Sequence, residues 1–381
     1  MNQSKKYFKS LTGVRAIAAF MVYVHHFNPF PKESLIFSIC QEMHIGVTIF
    51  FVLSGFLIAH RYLDMEVNLK NYIFYLSNRI ARIYPTYFLI TIIFYLYKYG
   101  LFFSKYSIFE LFMNLTFLRG FFDNLKFTLV APGWSLTVEE TFYFLAPLFF
   151  LYISKKKDFV LIFPFILFSV GILFVFLSQT LHLDEFFGFF SSYKFMTAYT
   201  FFGRCFEFFV GISLALFFGE AKKEKQYTFN FTYFGVFVIV SSLYLLSTLQ
   251  GIEKFGVQTN IGLIINNIFL PLIGISSLFY GLIREKTLIE RFLSSNFLIV
   301  CGKISFVFYL IHQSGIFRIA AIKINELLTQ NLSITFGGKI LTQFFGWLII
   351  LLFIQIFSFI IFKFFEEPMN VKIRKKIQEY L

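Results

Sequence analysis

Arg15 and His26 stand eleven positions apart near the start of the chain. On a helix each residue turns about 100° and rises about 1.5 Å, so the two fall within roughly 20° of each other and about 16 Å apart along the axis. His25 lies roughly 80° off that line. One stripe therefore carries a cation at one level and an imidazole at another, and it suits a long substrate threaded along the helix. Imidazole is the side chain best matched to proton transfer near neutral pH. The competing reading is that both residues are satisfied by packing against neighbouring helices.

A second group opens another apolar run, from Pro132 through Trp134, Ser135, Glu139 and Glu140 to Tyr143. Ser135, Glu139 and Tyr143 recur every four residues and share one helical face. If this run enters from the side where His26 lies, Glu139 is expected at the depth of His26, where a carboxylate would orient the ring and stabilise its charged form. Alternatively, the helix dipole simply favours acids near an N-terminus. Arg79 and Arg82, three apart on one face, either grip phosphates or anchor the chain at the membrane surface. Arg204 and Glu207 read as a structural i, i+3 pair, and His312 as a histidine within an apolar run.

The elements that must position these residues are membrane helices. The chain has 381 residues, 57% hydrophobic and 14% charged, against roughly 25% charged in a soluble domain. Apolar runs long enough to span a bilayer recur throughout and do not alternate as barrel strands would. The expected fold is all-α, a polytopic transmembrane bundle forming one domain over 1–381. Its ten spans are expected at 8–28, 44–62, 84–102, 135–153, 159–178, 199–218, 230–249, 261–283, 300–322 and 339–364. The 62 phenylalanines read as lipid-facing filler. The stretch 108–118 is too short to cross and reads as interfacial or re-entrant.

Segments on the side of the N-terminus, among them Lys5, Lys6 and Lys9, Lys155 to Lys157, Lys222, Lys223 and Lys225, and Lys372 to Lys376, hold roughly twice as many basic residues as those opposite. That places both termini in the cytoplasm. The net charge of +13 follows from topology and calls for no nucleic acid. Cys40, Cys205 and Cys301 stand isolated and fit no metal or disulfide spacing. The first run carries Arg15 and lacks a small-residue cleavage site, so it reads as a span and not a signal peptide. No P-loop, GxGxxG, HExxH or GxSxG is present, so any chemistry falls to polar residues on the spans, where an ionisable group is costly and marks function.

In these residues the chain resembles the acyltransferase-3 family of membrane O-acyltransferases. The similarity runs in order: Leu11 to Ala18 with Arg15 and, ten residues between, His26; Gly46 to Ile58; Arg79-Ile80-Ala81-Arg82 with Tyr84-Pro85; Trp134-Ser135-Leu136 with Glu139; Arg204 with Glu207; Ser305 to His312; and Phe365 to Pro368. Thr12 and Thr48 stand where the family often has Asp. No SGNH domain is expected, as in the family's stand-alone form. The resemblance implies transfer of an acyl group, acetyl first, from acyl-CoA to a sugar hydroxyl of an extracytoplasmic glycan or glycolipid, at a bacterial inner membrane. It implies Arg15, Arg79 and Arg82 near the donor, His26 as the catalytic residue as base or acyl carrier, and Glu139 supporting it. Trp134, Ser135, Tyr143, Arg204, Glu207 and His312 are expected to support the site. Acetyl-CoA enters as donor substrate, with no bound cofactor and no metal. A transporter or flippase of a lipid-linked saccharide would also carry intramembrane charges and is the alternative.

Overall fold

A computed structural model describes residues 7–101, 103–220, 229–251, 253–332 and 339–380. Lys5, Lys6, Lys222, Lys223 and Lys225 lie outside the described residues. The described chain is helical, with one isolated bridge between Phe122 and Phe189. Helix α1 (Lys9–His26) is followed by a short α2 (Leu35–Gln41), then α3 (Gly46–Tyr62) and α4 (Leu69–Tyr99). The stretch expected to be too short to cross is α5 (Lys105–Leu115). Next come α6 (Trp134–Ile153), α7 (Phe159–Thr180), α8 (Tyr193–Tyr199), α9 (Phe201–Glu220) and α10 (Phe231–Thr248). Helix α11 (Asn260–Ile264) passes through a π-helical stretch, Ile265–Ile275, into α12 (Ser276–Arg284). After α13 (Leu288–Leu293), α14 (Asn296–Ile311) and α15 (Gly315–Leu332), α16 (Lys339–Ile361) leads through a π turn, Phe362–Glu366, to α17 (Glu367–Tyr380).

Among the described residues, eight helical stretches are long and apolar enough to cross a membrane. The count is nine if Asn296–Ile311 and Gly315–Ile324, bent by 96°, are one span. The expected tenth is α1. Its polar residues, Lys9, Arg15, His25 and His26, set it apart from a lipid-facing helix. It lies instead inside the bundle against α3 and α14, with Leu11, Val14, Ala18, Val22 and Tyr23 buried.

A second correction concerns α4. The third span was expected to start at 84, leaving Arg79 and Arg82 on a surface segment. The helix instead starts at Leu69, where the Asn68 side chain accepts the Asn71 N–H at 2.8 Å. Both arginines are therefore well inside it, and Arg79 is buried. Pro85, just beyond them, brings no N–H to the helix ladder.

Close backbone approach holds the centre together. A Cβ on Gly55 would collide with the Phe208 carbonyl of α9, and one on Gly302 with the Thr12 carbonyl of α1. Helices in a membrane associate largely through such van der Waals contact. Phenylalanine fills both sides of the bundle. Phe165 and Phe176 face outward, as lipid-facing filler would. Phe51, Phe142 and Phe208 are buried, with ring centroids 4.9 Å (Phe51–Phe208) and 4.4 Å (Phe142–Phe208) apart. Aromatic pairs of this geometry add to burial, so the ring content builds the core too.

Candidate functional site

Four helices bring polar side chains to one cavity. Arg15 comes from α1, Ser54 from α3, Arg79 and Arg82 from α4, and Glu139 and Tyr143 from α6; Phe50, Leu57 and Phe306 add apolar wall. The free volume is about 60 Å³, room for a few waters and far below the several hundred Å³ of a typical ligand pocket. Glu139 accepts hydrogen bonds from the Ser54 hydroxyl at 2.9 Å and the Tyr143 hydroxyl at 3.4 Å. The arginines are not so provided for. The Nε atoms of Arg15 and Arg79 are buried without a partner, as are Glu140 Oε1 and, on the π turn before α17, Glu366 Oε2. Glu366 feels the fields of Arg82 and Arg15. The Arg79 guanidinium lies 5.7 Å from the Tyr62 ring centre, a cation–π contact. Buried polar groups are nearly always hydrogen-bonded. Two unpaired guanidinium donors beside a third arginine at one cavity describe a receptor for oxygen atoms carrying negative charge.

His26 is elsewhere. It stands exposed on the last turn of α1. Its ring centroid is 4.5 Å from His25 and 5.3 Å from His312; His25 is in turn 5.1 Å from His44. His25 Nδ1 sits 2.5 Å from the Gln41 carbonyl oxygen. A carbonyl only accepts, so that nitrogen carries the proton and the ring is tied to the backbone. Among the described residues no set of three such side chains converges tightly enough to hold a metal ion.

Glu139 was expected beside His26, and the structure places it in the arginine cavity instead. The cause is the register of α6 against α14. Ser135, one turn earlier than Glu139, takes the contact with α14, its hydroxyl 2.8 Å from the Tyr309 hydroxyl. Glu139 then lies about 6 Å further along the axis, where Ser54 and Arg15 are. Tyr143 follows it into the cavity. The loop before α6 is pinned by Arg119, which is fully buried. Its guanidinium donates to Asn114 Oδ1 at 2.6 Å and to the carbonyls of Thr128 and Val130. Trp134 packs edge-on against Tyr199, 5.0 Å between centroids.

Arg204 and Glu207 form the expected i, i+3 pair, with Arg204 Nε 3.0 and 2.8 Å from the two carboxylate oxygens. Arg204 also donates to the Thr48 hydroxyl at 2.9 Å, and Thr48 donates to Asn266 Oδ1 at 2.8 Å. Thr48, where the family often has Asp, thus joins a closed network with the π-helical stretch. His312 is fully buried at the end of α14. Sequence reasoning missed Ser54, Glu366, His44 and Tyr309. Ser54, Tyr309 and Glu366 stood inside recognised motifs, whereas nothing in the local pattern marks His44.

The profile of a family described as an acyltransferase domain matches residues 8–363, and the chain belongs to that family. It is 32% identical over 144 residues to a protein of the Acidianus two-tailed virus provisionally named an acetyltransferase; the match covers 38% of this chain and 41% of that protein. It is 30% identical over 175 residues to the peptidoglycan O-acetyltransferase OatA of Listeria monocytogenes, over 40% of this chain and 25% of OatA. A Bacillus subtilis protein, YrhL, provisionally named a peptidoglycan O-acetyltransferase, is 30% identical over 185 residues, 41% of this chain and 26% of YrhL. The matched region thus spans about two fifths of the viral relative and about a quarter of each bacterial one. No solved structure matches the chain.

Proposed function

We propose that the protein is an O-acyltransferase of a bacterial inner membrane that takes acetyl from acetyl-CoA on the cytoplasmic side and esterifies a sugar hydroxyl of an extracytoplasmic glycan or glycolipid. The observation that carries this is the set of three arginines at the cavity, two with an unpaired Nε, of which Arg15 shares the α1 stripe with the exposed His26. Guanidinium forks fit phosphate oxygens through paired hydrogen bonds. The space of about 60 Å³ is smaller than an acyl-thioester arm, so the side chains around it part as the donor enters. The arm then runs along α1 to His26. There the imidazole takes the proton of the acceptor hydroxyl as its oxygen attacks the thioester carbonyl; the carbon–sulfur bond breaks and the leaving thiolate receives the proton. If His26 instead carries the acetyl group between two steps, an acetylated His26 is trapped when acceptor is withheld. Glu139 acts on Arg15 and Arg82, holding the donor end, and not on the imidazole.

The bacterial relatives' names make peptidoglycan the first acceptor to test. Mass spectrometry of envelope glycans should show O-acetyl esters that disappear when the gene is deleted and stay absent with His26→Ala. Unchanged esters in both strains would end this reading. Reporter fusions after Lys156 should read cytoplasmic and those near Lys126 extracytoplasmic. A flippase of lipid-linked saccharides remains the second reading, favoured by the break of 96° between α14 and α15, a feature transporters use at substrate sites. It predicts a lost lipid-linked sugar at the outer face with esters per sugar unchanged.

A further inference from the structure

The outer site holds a second imidazole whose chemistry the geometry specifies. His312 ends α14 at the point where the chain breaks towards α15. Its Nδ1 lies 2.8 Å from the Tyr309 carbonyl oxygen. Because that oxygen only accepts, Nδ1 carries the proton and Nε2 is left as a bare lone pair. Nε2 is buried and has no hydrogen-bond partner. The ring cannot readily turn to find one: Phe308 stacks on it, 6.0 Å between centroids and 8° between planes, and the Tyr309 ring packs 5.8 Å away. Beside it stands His26, 5.3 Å between centroids and tilted by 35°. His26 is exposed while His312 is wholly enclosed, so a substrate hydroxyl meets His26 first and finds His312 behind it.

We propose that His312 is the positioning residue for His26. A turn of the exposed His26 ring brings one of its N–H groups to the bare Nε2, which accepts it and fixes the His26 tautomer so that the other nitrogen faces the acceptor hydroxyl. When that nitrogen takes the hydroxyl proton, the new positive charge is shared through the same hydrogen bond. Among the described residues no carboxylate takes the part that one usually plays behind a catalytic histidine; Glu139 is engaged at the arginine cavity. Two helix C-termini, of α1 and α14, converge on the imidazole pair, and their partial negative charge favours a cation there. Tyr309 couples the pair to the donor side: its carbonyl orients His312 while its hydroxyl meets Ser135, one turn from Glu139. His25 takes no part, since its own Nδ1 is tied to Gln41.

The proposal rests on the reading of His26 given above, and its test separates the two. Purified protein in detergent is treated with diethyl pyrocarbonate, and carbethoxylation of His25 and His26 is followed by tandem mass spectrometry. In parallel, release of CoA thiol from acetyl-CoA is measured with peptidoglycan oligosaccharides as acceptor. H312A should slow modification of His26, but not of His25, by roughly ten-fold or more, the worth of a hydrogen bond to a charged partner. It should lower kcat to a similar degree with the KM for acetyl-CoA unchanged. H312Q presents an amide oxygen near the place of Nε2 and should recover part of both. Unchanged His26 reactivity in H312A overturns the proposal. So does a loss in H312A and H312Q alike, accompanied by a fall in thermal midpoint, which marks a packing role only. Wild-type protein that transfers no acetyl, while His26 reactivity still follows residue 312, leaves the imidazole pair standing and removes the acyltransferase reading.

Discussion

Arg204 and Arg15 are both cations inside the same bundle, yet they are treated in opposite ways. Arg204 meets both oxygens of Glu207, the Thr48 hydroxyl and the Ala198 carbonyl, and nothing is left to offer a ligand. Arg15 and Arg79 keep a buried nitrogen without a partner and face a cavity with Arg82. Arg119 also keeps a buried Nε without a partner, but its other nitrogens are tied to an amide oxygen and two carbonyls and it lines no part of the cavity. The difference teaches that a buried charge in a membrane protein is not by itself the mark of a site. What separates structure from function is whether the charge lines a cavity with hydrogen-bonding capacity left to offer there. The same contrast recurs among the histidines, where His25 is tied to a carbonyl and His312 keeps a bare nitrogen beside the exposed His26.

The largest effect that could break this contrast lies at the histidines. His26→Ala should reduce acetyl transfer by about a hundred- to ten-thousand-fold, the usual contribution of general acid–base catalysis, while His25→Ala at equal expression is much milder. A dead His25→Ala beside an active His26→Ala would reverse the assignment. Next comes the closed pair. Glu207→Ala strands Arg204 and should cost about 3–5 kcal/mol of stability, seen as a lowered thermal midpoint. Glu139→Ala should cost far less, because Glu139 lines a cavity. Equal losses would erase the distinction.

Smaller effects sharpen the picture. Arg79→Lys keeps the charge and loses the planar fork, so acetyl-CoA affinity should weaken by roughly ten-fold; an unchanged dissociation constant would reduce Arg79 to a structural cation within the bundle. The least change is expected for Glu139→Gln. Removing a negative charge beside the donor's phosphates should tighten acetyl-CoA binding a few-fold while turnover falls. Weaker binding would mean that the carboxylate chiefly organises the arginines.

Much of the fold was legible because a span needs a long apolar run, and each expected run corresponds to helical chain, although 300–322 is broken by the 96° bend between α14 and α15. The start of α4 was not. Asn68, Lys70, Asn71, Asn78, Arg79 and Arg82 read as a surface segment, because sequence does not show that Asn68 caps a helix or that Arg79 points into a bundle. Arg15 and the arginine pair were picked out by charge within apolar surroundings, and the cavity brings them together. The pairing of Glu139 with His26 failed for a definite reason. Sequence gives depth along one helix, but which neighbour lies opposite depends on register between helices, here fixed by the Ser135–Tyr309 contact. The imidazole group was hidden for the same reason, since residues 25, 26, 44 and 312 meet only after three separate helix ends converge.

The central claim is that the arginines lining the cavity form the donor site and those enclosed elsewhere by protein hydrogen bonds hold the fold. Acetyl-CoA titrations on purified wild type, Arg82→Gln and Arg204→Gln, with thermal midpoints taken on the same samples, test it directly. The account predicts that Arg82→Gln weakens binding by about ten-fold or more with its midpoint unchanged, and that Arg204→Gln binds as wild type does with a lowered midpoint. Binding lost in Arg204→Gln and kept in Arg82→Gln would contradict it.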